Sequence, residues 1–243
     1  MSAAADNPLS QGFYTVAEAA RLIRVGSRQR IYGWLKGYPR RGAGPLLARD
    51  YEPVGGVEEL SFLDLMEVRF VEHFREHGVK MRSLRRASAR LRQEWNTTHP
   101  FALQRVHVIA DKADIFVEEV LRDSAEQEHD PRLRSLLTEN YVMYEAIKQN
   151  LLPGVTFDSK SHLAETWAPR AIEFPAIKIN PRVAFGQPAT PSGVPTITLY
   201  NAWKAEKQNA DEVAYWYDLP STEVLEAIRF EELLDRRSEV QAA

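Results

Sequence analysis

The sequence contains no cysteine. That removes a disulfide framework, a Cys-ligated zinc site and a thiol nucleophile together. It also has no apolar run approaching the roughly 20 residues that a membrane-spanning helix needs. The opening stretch MSAAADNPLSQGF lacks a positive segment followed by an apolar core, so it does not read as a secretory signal. No Gly-rich phosphate loop and no Gly-x-Ser-x-Gly elbow is present. These absences lead to the expectation of a cytoplasmic protein that is not an enzyme and uses no cofactor.

What is present suffices for a packed core. Of 243 residues, 44% are hydrophobic and 27% charged, which suits one large domain or two modest ones. The net charge of −3 is unevenly divided. Residues 1–100 carry 16 Lys and Arg against 11 Asp and Glu, a balance of +5, and the remainder carries 15 against 23, a balance of −8. A basic first half with an acidic second half suits a nucleic-acid module joined to a part with another task.

In YTVAEAARLI, Thr15 and Glu18 form a capping box. Val16, Ala19, Ala20, Leu22 and Ile23 then supply a helical apolar stripe. Gly26 is expected to break that helix and Ser27 to cap a second one. In the second helix Ile31, Trp34 and Leu35 share a face, with Gly37 and Pro39 ending it. Two short helices joined by a tight turn predict a helix-turn-helix. The stretch YPRRGAGPLLARDYEPVGGVEELSF reads as a β-hairpin or extended loop, a wing, with Tyr51 and Phe62 as anchors.

Further on, SFLDLMEVRFVEHFREHG is helical through Leu63, Met66, Phe70, Val71 and Phe74. KMRSLRRASARLRQEWN predicts a basic helix with Met81, Leu84, Ala87 and Leu91 inward. Residues 104–120 alternate well enough for two strands, a helix from Asp111 being the competing reading, and residues 131–152 are helical. The segment 153–175 reads as linker and short helix. Five prolines and two glycines between Pro175 and Pro195 predict extended, turn-rich chain. Three helices follow in TITLYNAWKAE, DEVAYWYD and STEVLEAIRFEELLDRR. Asn209 and Glu212 form a second capping box, and Trp203, Val213, Trp216, Val224, Leu225 and Ile228 are the expected core of this trihelical unit.

The order helix, turn, arginine-bearing helix, wing, long helix, basic helix over residues 13–93 resembles the winged helix-turn-helix of MerR-like regulators. IYGWLKG looks like the end of their second helix. The resemblance implies that this helix enters the major groove by its N-terminal half. Ser27 would then stand at its start, Arg28 and Arg30 would meet guanine or phosphate, and Gln29 adenine. Tyr32 and Lys36 would reach phosphates, as would Arg40, Arg41 and Arg49 from the wing. Gly33 departs from the long polar side chain usual in the family. A solvated, arginine-rich helix face is the alternative.

The segment IKINPRVAFGQPATPSGVPTITLYNAW resembles a small domain of unknown function found in antitoxins whose partner is a PIN-like ribonuclease. Its marks here are Asn180–Pro181–Arg182, Gly186–Gln187–Pro188 and Gly193–Val194–Pro195, the prolines extending the chain and the glycines allowing tight turns. Ser192–Gly193–Val194 departs from a Gly-Thr-Arg common in that family. Together the two resemblances imply a VapB-type antitoxin of the long kind. Such a chain, expected as a homodimer over an inverted repeat, would repress its own operon and inhibit a PIN-like toxin. Arg229, Arg236 and Arg237 are candidates to block the toxin's carboxylate cluster, since desolvated Arg–carboxylate pairs are strong. The rival is a stand-alone MerR-like regulator with a ligand-sensing C-terminal part.

The expected fold is mainly α with small β-hairpins. A winged helix-turn-helix would occupy residues 1–98, a connecting region 99–165 and a trihelical domain 166–243. No metal site is expected: His73 and His77 have zinc-protease spacing, but the residues between them do not fit that pattern and no third ligand is evident. His107 reads as structural.

Overall fold

The computed structural model describes residues 12–53, 55–76, 79–104 and 153–240, the side chains of Arg41 and residues 236–240 excepted. Among them the chain is mainly α, with one two-stranded and one four-stranded antiparallel sheet. The strands and helix expected over 105–152, with His107 and the acidic SAEQEHD stretch, lie outside the described residues, as does His77.

Helix α1 (Val16–Ile23) begins as its local chemistry dictates. Thr15 Oγ1 accepts from the Glu18 amide at 3.2 Å, and the Glu18 carboxylate accepts from the Thr15 amide at 2.7 Å. The helix ends earlier than Gly26: Arg24 takes the left-handed conformation at φ 69°. The next residue, Val25, is buried, and its amide closes on Ala20 O at 2.9 Å, so the turn must precede it. Helix α2 (Arg28–Lys36) buries Ile31, Trp34 and Leu35 on one face and stops at Gly37. Ser27 holds the N-cap position, but its side chain makes no cap hydrogen bond.

The anticipated wing is an extended loop, not a hairpin. The Leu46 and Leu47 amides both donate to Trp34 O, at 2.8 and 3.1 Å, and both side chains are buried. That leaves the first apolar run no free ladder edge. The second run supplies β2 (Glu59–Leu60), which pairs antiparallel with β1 (Tyr14–Thr15). Tyr51 stacks on Phe13 with centroids 4.7 Å apart, while Phe62 is buried where α3 begins.

Helix α3 (Phe62–Glu76) is the central rod, covered almost all round, and it buries Asp64, Glu67 and Glu72 along with its apolar residues. Ser61 and Asp64 cap its start reciprocally, at 3.0 and 3.1 Å. Leu63, an expected core residue, is only partly buried. Helix α4 (Met81–Trp95) buries Leu84, Ala87 and Leu91 as its stripe predicts, with Met81 partly buried.

Residues 153–175 correct the linker-and-helix expectation. Strands β3 (Val155–Phe157) and β4 (Ala164–Trp167) form a hairpin that β5 (Lys178–Ile179) and β6 (Pro188–Ala189) extend in order. Asp158 Oδ1 nucleates its turn, accepting from the Lys160 and Ser161 amides and the Ser161 hydroxyl. Helices α5 (Thr196–Ala205), α6 (Ala210–Tyr217) and α7 (Ser221–Val240) follow. Asn209 caps α6 through the Glu212 amide, one half of the expected box.

The small cluster between these helices consists of Leu199, Tyr200, Val213, Ala214, Val224, Ala227 and Ile228. Trp203 is only partly buried, stacked on Tyr200. Trp216 (55% exposed) and Leu225 (41%) are surface residues, contrary to expectation. Helix α6 has eight residues and turns one face inward, which Val213 and Ala214 already fill.

Helix α7 joins the two halves. Phe230 and Leu234 belong to the main core, shared with α1–α4, β4 and β5. Arg21 on α1 pairs with Glu231 and Asp235, each at 2.7 Å. Tyr14 Oη donates to Gly186 O at 2.7 Å. The main core thus draws on all three segments expected as separate regions. No helix among the described residues is long and apolar enough to cross a membrane.

Candidate nucleic-acid interface

The positions expected to meet DNA fall into three groups. Arg28 and Gln29, in the first turn of α2, are exposed, and Arg28 makes no ion pair among the described residues. That turn holds no acidic residue and Ser27 makes no cap bond, so no side chain of the helix offsets its positive dipole end. Arg40, on the 3-10 turn Pro39–Arg41, is exposed as well. The side chain of Arg41 is not among those described.

A second group is already engaged. Lys36 Nζ lies 2.8 Å from Glu58 Oε1, and Arg49 bridges the other oxygen of the same carboxylate. Glu58 is buried, so these two cations clamp the end of α2 to the loop instead of standing free. The side chain of Lys36 remains half exposed and sits 5.5 Å above the Tyr32 ring. Arg30 Nη1 is 3.4 Å from Glu72 Oε1, a carboxylate that Arg75 grips twice, at 2.7 and 2.9 Å. Arg30 is therefore partly neutralised. Tyr32 is half-buried.

Gly33 has a steric reason to be glycine. A Cβ there would lie 2.0 Å from Tyr38 Oη and 2.1 Å from Tyr38 Cζ, because the ring lies against this point of the helix. The loop opposite is held by arginines from α4: Arg92 Nη2 donates to Leu46 O at 3.0 Å, and Arg85 Nη1 donates to Gly44 O. Ser88 Oγ adds a bond to Leu46 O at 3.3 Å. The basic face of α4 thus spends two of its arginines on positioning.

Spacing alone missed Glu58, Glu72, Arg85 and Arg92. Each works across 41 to 46 residues or through a buried carboxylate, and no local pattern marks such a role. Of the arginines proposed to face a toxin, Arg229 is exposed on α7, while Arg236 and Arg237 lie in its last turns beyond the described side chains.

No family model matches the chain. It is 24% identical over 186 residues to a Mycobacterium tuberculosis protein described as "Putative antitoxin VapB45", covering 72% of this chain and 75% of that protein. The crystal structure of Rv2018 from Mycobacterium tuberculosis superposes with a TM-score of 0.63 at 24% identity. That likeness covers 92% of this chain and 98% of the other, and what it shows is a shared fold.

Proposed function

We propose that this chain is an antitoxin that binds and inhibits a PIN-like ribonuclease toxin and, as a homodimer, represses its own operon by placing α2 in operator DNA. The observation that carries the reading is the exposed Arg28–Gln29 edge of α2, on a helix locked by Trp34 and the 44–47 loop. It stands in a chain similar over most of its length to an antitoxin. Within the predicted DNA-binding set, Arg28, Gln29 and Arg40 are the side chains best placed for DNA. Lys36 and Arg49 would join by exchanging Glu58 for phosphate.

Arg28→Ala is expected to weaken operator binding by about 1–3 kcal/mol and relax base preference, as loss of a base-reading arginine does. Arg40→Ala should weaken binding across all sequences and flatten the salt dependence. Gel-shift or anisotropy titrations at several salt concentrations separate the two patterns. Equal affinity of wild type and Arg28→Ala for operator and for random DNA would reject the α2 assignment.

On this reading the toxin meets the chain at α6 and α7. Tyr215 is 83% exposed, and Trp216 and Leu225 lie open on the same two helices. Leu225 and Arg229 stand one helical turn apart. Aromatic anchors with a neighbouring arginine are the composition of a partner-binding hot spot. Trp216→Ala and Arg229→Ala are each expected to loosen the toxin complex at least about tenfold, with little change in folding, because both side chains are exposed. The direct test is co-expression with the product of the adjacent gene, followed by an RNase assay with and without this chain. A stable complex with suppressed cleavage meets the expectation. No complex would leave a DNA-binding regulator as the reading.

A further inference from the structure

A polar cluster lies where the start of α3 meets the segment that follows α4. His99 and Asp64 are buried, and with Asp50 they offer ligand atoms that all lie within 4.8 Å of one another. His99 Nε2 is 2.9 Å from Asp50 Oδ1, and Asp50 Oδ2 accepts from Ser61 Oγ at 2.6 Å. With its ring proton on Nε2, donated to Asp50, His99 turns a lone pair outward at Nδ1. That nitrogen has no hydrogen-bond partner, and it faces Asp64 Oδ1 at 3.7 Å, which has none either. Asp64 Oδ2 is fully used by the Ser61 and Asp50 amides. One turn along α3, Glu67 is wholly buried. Its Oε1 accepts from the Phe101 amide at 2.7 Å, and its Oε2 is likewise without a hydrogen bond.

We infer that His99 and Asp64, oriented by Asp50 and backed by the buried carboxylate of Glu67, form a binding site for a divalent transition-metal ion of the Zn²⁺ type. A separation of 3.7 Å is too long for a hydrogen bond between His99 and Asp64. It suits two ligands of one ion, since bonds of about 2.1 Å reach across it at an angle of about 120°. Charge leads the same way. Three acidic side chains, Asp50, Asp64 and Glu67, gather here against one guanidinium, that of Arg92, whose Nη2 is 3.7 Å from Glu67 Oε2. The Asp50–His99 bond is the carboxylate–histidine pairing that orients metal ligands, and an imidazole nitrogen with a carboxylate oxygen, water completing the shell, suits Zn²⁺, Mn²⁺ or Co²⁺. A cavity of about 570 Å³, lined by Asp50, Ser61, Asn96 and His99 among others, gives an ion a way in.

The test uses the full chain, stripped with chelator and dialysed against Zn²⁺ or Co²⁺, with metal per chain read by mass spectrometry and Co²⁺ by its visible absorption. One ion per chain, a higher melting temperature that EDTA reverses, and Co²⁺ bands in the visible are expected. His99→Gln and Glu67→Gln should each lower affinity at least tenfold, with circular dichroism showing both folded. Asp64→Asn serves as a third variant, because it keeps the capping bonds to Ser61. Wild-type protein taking up less than a tenth of an equivalent of Zn²⁺, Co²⁺ and Mn²⁺ would overturn the inference. So would undiminished binding in folded His99→Gln. None of these readouts depends on DNA or toxin, so the result stands apart from the antitoxin reading.

Discussion

Phe230→Ala is expected to lower the stability of the whole chain by about 3–5 kcal/mol, the usual cost of emptying a buried phenylalanine site. Phe230 is fully buried and meets Phe174 edge-on, with centroids 5.6 Å apart. Its position on α7 gives the substitution its reach. Val224, Ala227 and Ile228 on the same helix pack into the small C-terminal cluster, while Phe230 and Leu234 enter the main core. A rigid helix that belongs to two cores couples them, so a single urea transition should move as a unit. With about 5–15 kcal/mol of total stability to draw on, such a loss leaves little margin. Leu225→Ala is the control, expected to cost about 0.5 kcal/mol because the side chain lies at the surface, 41% exposed. Two transitions, with only the second moved by Phe230→Ala, would show that the clusters fold independently.

Gly37→Ala is expected to cost about 3 kcal/mol or more and to abolish operator binding, since it combines backbone strain with a clash. Gly37 sits at φ 81° and ψ −171°, a region open essentially to glycine alone. An added Cβ would lie 2.5 Å from Ala43 O and 2.6 Å from the Gly44 carbonyl carbon. Those are backbone atoms, which cannot swing aside as a side chain can. Relief would require moving the loop that carries Leu46 and Leu47 onto Trp34, and with it the end of α2. Gly42→Ala separates the two contributions: its φ is 64°, yet nothing lies within 4 Å of its Cβ position. It should cost only the left-handed penalty of about 1–2 kcal/mol. Urea melts of both variants decide it, and equal costs would mean the loop is not packed against Gly37 as described.

Much of the helical framework was legible because its causes are local. A Thr and a Glu three residues apart close a capping box whatever lies elsewhere, and the 3.6-residue stripe of α4 names its own buried face. The hairpin at β3 and β4 was missed because its strands span only three and four residues, too short for alternation to show. For the wing, the local pattern left a hairpin and an extended loop both open. Its two apolar runs look like partners, but tertiary competition gave one to Trp34 O and the other to β1. Hydrophobicity likewise placed Trp216 inside, whereas a short helix with one inward face had no room for it.

The candidate DNA surface divides along the same line. Which residues carry charge is written in the sequence; which charges stay free is not. Lys36 and Arg49 share a buried carboxylate from the loop, and Arg30 leans toward one on α3, so the open cationic edge contracts toward Arg28 and Arg40. The His99–Asp50–Asp64 cluster has no spacing signature, because its members come from a loop, a helix start and the segment after α4.

By itself the sequence determined where the helices of the described segments lie, how the best of them are capped, and that the fold is mainly α, because these follow from interactions within four residues of one another. Only the tertiary structure decided which aromatics remain at the surface, which arginines are spent on carboxylates, and which acids are buried. Those outcomes turn on partners as far apart as Arg21 and Glu231, 210 residues distant. Whether a charge is solvated or paired depends on what the fold brings beside it, and no local pattern carries that information.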